Sequence, residues 1–174
     1  MCHRVSATRA AIAASVLLAQ VVLAEAPQSP AVDFDPSVTA QLQNAYGPAE
    51  AGVLREAIIA AVAKEARREP MPAGLTLKVT VRQIAPSHPT RKQQTDDPTL
   101  DPVKTHYAGG ADLVGEILDA KQQVLATVGY RNFAIELSLA SPSWDAWADA
   151  RVAIDRFAAK LATTWSRLPK LPKT

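Results

Sequence analysis

The residues best placed in type and spacing to do chemistry are Ser87, His88, Asp96, Asp97, Asp101 and His106, which share one segment, 86–107. Imidazole nitrogens and carboxylate oxygens suit Zn²⁺ or another divalent ion if they converge. A serine beside a histidine is also the raw material of a hydrolase. The spacing is unfavourable to both. No His-Glu-x-x-His run and no Gly-x-Ser-x-Gly turn occurs, and neighbours on an extended chain, such as Ser87 and His88, point to opposite sides. His88, His106, Asp96, Asp97 and Asp101 are therefore weak candidates for a metal-binding protein or metal-assisted hydrolase, set against a solvated connecting loop. No residue is assigned as catalytic, and no cofactor is implied.

The segment joins two strands. Before it, Leu75, Leu77, Val79 and Val81 alternate with Thr76, Lys78, Thr80 and Arg82, the pattern of an antiparallel strand with one wet face. Val79 is expected inside with Leu77 and Val81, and Lys78 with Thr80 outside. After it, Gly109-Gly110-Ala111 opens a strand over 111–118. Two glycines with no helix behind them do not make a phosphate cradle; a bulge or a close backbone approach is expected. Asp119-Ala120-Lys121-Gln122 is turn-like. Val124, Ala126, Val128 and Tyr130 then alternate with Leu125, Thr127, Gly129 and Arg131, completing a hairpin. The connection 86–107 is long for two neighbouring strands, and long loops in compact domains are commonly functional or disordered.

Helices must back these strands. Val32-Asp33-Phe34-Asp35 reads as a short first strand ended by Pro36, and 37–46 is ambiguous between loop and short helix. Gly47-Pro48 opens a helix in which Val53, Leu54, Ile58, Ile59 and Val62 recur at helical spacing, with Lys64, Arg67 and Arg68 near its negative end. Pro70 and Pro72 stop it. In the last helix Ser141 is the expected cap, Pro142 the first position and Asp145 a first-turn residue. Its stripe runs through Trp144, Trp147, Arg151, Ile154, Phe157 or Ala158, Leu161 and Trp165. At that spacing the tryptophans are expected to pack the helix onto the sheet rather than to form a ligand-stacking surface. The order β-α-β-β-β-α makes the fold class α+β: an antiparallel sheet of about four strands with helices packed on one face.

Residues 1–24 read as a signal peptide. Arg4 and Arg9 precede the apolar run Ala10–Ala24, and small residues lead to Pro27. The run is shorter than the roughly 20 apolar residues that span a bilayer, so cleavage near Ala24 and release as a soluble periplasmic or secreted protein are expected. The chain then divides into a linker over 25–31, a single α+β domain over 32–168 and a flexible tail over 169–174. Of the 19 Lys and Arg, Arg4 and Arg9 leave with the leader, whereas all 17 Asp and Glu remain, so the mature chain is formally neutral. Its basic residues are scattered, and Arg67-Arg68 is flanked by Glu65 and Glu69. Nucleic acid is therefore not an expected partner. The one cysteine, Cys2, also leaves, which removes disulfides, thiol chemistry and a lipid-modified N-terminal cysteine. No stable membrane anchor is expected after cleavage.

Four features together resemble a family of uncharacterised bacterial envelope proteins, often lipoproteins. They are the strand Leu75–Val81, Pro89-Thr90 in the loop, Gly109-Gly110-Ala111 entering a hairpin, and Trp144-Asp145-Ala146-Trp147-Ala148-Asp149-Ala150 leading into an amphipathic helix. The resemblance spans roughly 32–165 and implies a small α+β envelope domain without an assigned activity. The chain departs from lipoprotein members in having no cysteine at the cleavage site. The expected function is a non-enzymatic, exported accessory or interaction domain, with another envelope protein as partner. The alternatives are the metal reading of 86–107 and a small-molecule or lipid carrier with its cavity between the tryptophan helix and the sheet.

Overall fold

A computed structural model describes residues 29–134 and 145–168. The expected signal peptide, Ser141, Pro142, Trp144 and the tail from 169 lie outside the described residues. The elements in chain order are β1 (Ala31–Phe34), α1 (Pro36–Gln41) running into a π turn over Leu42–Tyr46, α2 (Glu50–Arg68), β2 (Thr76–Ala85), α3 (Arg91–Asp96), β3 (Gly110–Leu118), β4 (Val124–Phe133) and α4 (Ala148–Trp165). The fold is α+β, with sheet order β1-β2-β3-β4 and helices packed against it.

The sheet is mixed rather than wholly antiparallel. β2, β3 and β4 form the expected antiparallel meander, but β1 runs parallel to β2, with Val32 opposite Val79. The connection explains the difference. Parallel neighbours need a crossover long enough to return the chain to its starting end, and α2 supplies it. The ambiguous stretch 37–46 is helical, with the Asp35 carboxylate accepting the Ser37 N–H at the start of α1 and Val38 and Leu42 in the core.

Alternation in β2 places Leu77, Val79 and Val81 against the helices and leaves Lys78 exposed. A bulge between Val81 and Gln83 then shifts the phase, so that Ile84 is buried while Arg82 and Gln83 are both exposed. On β3 the inward set is Ala111, Leu113, Gly115 and Ile117. Gly115 leaves room for side chains of α4. A Cβ there would stand 2.8 Å from Leu161 Cδ2 and 2.9 Å from Phe157 Cζ. The β3–β4 turn is held by Asp119, whose carboxylate accepts the N–H groups of Lys121 and Gln123 at 2.8 and 2.9 Å.

The terminal helix starts later than expected. Trp147 precedes its first residue, and Asp145 lies before it, accepting the Trp147 N–H at 3.0 Å and pairing with Arg151. Arg151 is thus half-exposed rather than part of the buried stripe. That stripe consists of Ala150, Ala153, Ile154, Phe157, Ala158, Leu161, Ala162 and Trp165. The Lys160 ammonium reaches the edge of the sheet and donates to the Gly129 carbonyl at 2.9 Å, a charged cover for an otherwise open strand.

Candidate functional site

The segment 86–107 is ordered by its own hydrogen bonds. α3, absent from the sequence expectation, carries a capping box: Thr90 Oγ1 accepts the Gln93 N–H, and Gln93 Oε1 accepts the Thr90 N–H at 2.9 Å. Each aspartate serves its own turn. Asp96 pairs with Lys92 at 2.5 Å. Asp97 accepts both the N–H and the O–H of Thr99, at 3.0 and 2.6 Å, and these bonds hold its carboxyl below the ordinary aspartate range. Asp101 accepts the N–H groups of Val103 and Lys104 at 2.8 and 3.2 Å, with the same consequence.

His88 and His106 do meet. Their ring centroids are 4.5 Å apart with an interplanar angle of 61°. The antiparallel register brings them together: Ala85 faces Gly110, and the two chains continue side by side beyond the ladder, with the Tyr107 N–H donating to the Ser87 carbonyl at 2.8 Å. His88 is buried, and its Nδ1 has no hydrogen-bond partner among the described residues. The three aspartates do not join the imidazoles; among the described residues no group of three or more His, Cys, Asp or Glu is placed to hold a metal ion.

Ser87 is a structural pin. Its N–H donates to the Ala146 carbonyl at 2.6 Å, and its Oγ accepts the Asp149 N–H at 3.0 Å in the first turn of α4. The glycine pair allows this approach, as expected: a Cβ on Gly109 would lie 2.9 Å from Ser87 N and 3.0 Å from its Cα. Nearby, Trp147 Nε1 donates to Glu50 Oε2 at 2.7 Å and joins the starts of α4 and α2. Tyr46 meets the Trp147 ring edge-on at 5.6 Å, and burial pushes its phenol pKa up. This end of the sheet is built for fixity.

A different site lies between α2, α4 and β2. On α2, Ile59, Val62, Ala63 and Ala66 recur at three- and four-residue spacing and so share a face. Two of the four are alanines, and the small side chains leave a cavity of about 150 Å³ completed by Leu77, Met71, Trp165 and the entering Ser29-Pro30. Trp165 is buried, and its Nε1 donates to the Glu69 carbonyl at 3.1 Å, so the polar edge of the indole is satisfied. Arg67 is the one charged residue lining the cavity. It also lines a second, shallower hollow of about 340 Å³ between α2 and α4, shared with Lys64, Arg151, Asp155 and the small residues Ala57, Ala60 and Ala61. No linear motif marks this site, because its residues come from four separate parts of the chain. Among the described residues no helix is long and apolar enough to cross a membrane. Compared with protein-family models, curated proteins and solved structures, the chain matches none.

Proposed function

We propose that this chain is an exported, non-enzymatic accessory domain of the bacterial envelope whose working part is the apolar cavity, which receives a small apolar or amphipathic molecule. The cavity carries the reading. A hollow of about 150 Å³ with mostly apolar walls has room for a benzene-sized hydrocarbon. The use of Ser87 Oγ, as acceptor for the start of α4, supports a structural rather than nucleophilic role for the 86–107 segment. Export is supported by the basic start and apolar run of residues 4–24 and by the resemblance to envelope proteins. A carrier needs a donor or an acceptor for its cargo, and another envelope protein is the partner this reading implies.

Thermal unfolding with and without 1-hexanol tests it. Ligand that binds only the folded chain stabilises it by mass action, so 1-hexanol should raise the Tm of the wild-type protein. It should leave the Ala63→Leu variant, whose extra atoms fill the cavity, unshifted. An equal response of the two proteins would contradict the reading. The intact mass of protein from the envelope fraction tests export: the mature chain should begin near Glu25, and a species retaining residues 1–24 would contradict it.

A further inference from the structure

We infer that the molecule received by the cavity is an anion, a monocarboxylate with an apolar tail of about six carbons, and that Arg67 holds its head group. The inference rests on the cavity reading above and adds the chemical class of the ligand. Tail length follows from volume, since a cavity of about 150 Å³ matches a six-carbon hydrocarbon such as benzene. The charge follows from Arg67. Its neighbours on the two helices are committed: Lys64 pairs with Asp155 at 3.8 Å, Arg68 with Glu65 at 3.4 Å, and Arg151 with Asp145. The Arg67 side chain has no ion pair or hydrogen bond among the described residues, although it lines both hollows. A guanidinium presents paired N–H donors that fit a carboxylate in a bidentate fork. A ligand with its tail beside Trp165 and Met71 places its head where that fork is free.

Met71 provides the reporter. The chain has two methionines, and the other, Met1, stands in the leader, so ¹³C-methyl-methionine NMR of the full chain gives one signal at the cavity. Titration with hexanoate should move the Met71 methyl signal. Affinity should rise about fourfold per methylene, roughly 15-fold from butanoate to hexanoate, and level off beyond six carbons as the cavity fills. Hexanoate should bind about two- to fivefold more tightly at low salt than 1-pentanol, whose alkyl tail has the same length, the range of an exposed ion pair. Arg67→Gln should erase that preference while leaving 1-pentanol binding unchanged. Ala63→Leu, or Ala66→Leu if the first variant fails to fold, should abolish both. Equal binding of hexanoate and 1-pentanol in the wild-type protein, unaltered by Arg67→Gln, would overturn the carboxylate while leaving the cavity reading intact. Five buried carbons imply a Kd of about 1 mM, and no Met71 shift with either probe at about 10-fold that concentration would overturn both.

Discussion

The packing of α4 on the sheet turns on Gly115, and a double-mutant cycle measures it. Phe157 and Leu161 are fully buried, and a Cβ added to Gly115 would come 2.9 Å from Phe157 Cζ and 2.8 Å from Leu161 Cδ2. Ordinary carbon contacts begin near 3.5 Å, so Gly115→Ala forces a shift of about 0.6 Å in a close-packed core, costing about 1–3 kcal/mol. Phe157→Leu removes the ring atom facing Gly115 at a cost of about 1.5 kcal/mol, roughly two buried methylenes. In the double variant the new methyl occupies space that the ring vacated, so the combined cost should fall short of the sum by about 1 kcal/mol. Urea unfolding followed by the fluorescence of the buried Trp147 and Trp165 supplies all four stabilities. Additivity to within about 0.3 kcal/mol would refute the contact and with it the placement of α4.

Other variants probe the sheet, the pinned serine and the aspartate turns. Val79→Asp should cost several kcal/mol by burying an unpaired charge, whereas Lys78→Thr, on the wet face, should cost about 0.5 kcal/mol or less; chemical denaturation of both checks the phase of β2. Aspartate at Lys78 is a poorer control, because it would face Glu116 and Asp33, which Lys78 now pairs at 3.9 Å. Ser87→Ala should cost about 1–2 kcal/mol by stranding the Asp149 N–H. Gly109→Ala should cost more, since its Cβ meets Ser87 backbone; thermal melts of the pair give the order. Asp97 and Asp101 have folded pKa values below their ordinary ones. Their contribution to the local turns is therefore complete above the ordinary value and is lost as pH falls through the folded value. Amide exchange at Thr99, Val103 and Lys104 should accelerate, relative to the intrinsic rate, below about pH 4; unchanged protection there would contradict the turn assignments.

Much of this fold is legible in the sequence, because it is written in period. Leu77, Val79 and Val81 alternate, the β3–β4 hairpin brackets Asp119, and Ile154, Phe157, Leu161 and Trp165 advance by helical steps. What fails is what period does not encode. Four residues of β1 carry no direction, so its parallel pairing emerges only from the crossover through α2. The bulge at Arg82 is hidden because Val81 and Ile84 are both apolar under either phase. Helix α3 is too short and polar for an apolar stripe, although Thr90 and Gln93 stand at capping-box spacing. His88 and His106 meet through the β2–β3 register, a consequence that follows once Ala85 is set opposite Gly110. The cavity is a property of what is missing from α2 at Ala63 and Ala66, and a missing volume is visible only when Leu77, Met71 and Trp165 are in place around it.

A crystal soaked with 6-bromohexan-1-ol tests the cavity directly. The probe is neutral, so its placement depends on the cavity alone and not on Arg67, and bromine is located by its anomalous scattering. The bromine peak is expected between α2, α4 and β2, in van der Waals contact with Trp165 and Met71. Bromine found only elsewhere, with the space between Ala63, Ala66 and Trp165 closed by protein side chains or held by hydrogen-bonded water, would contradict the proposed function.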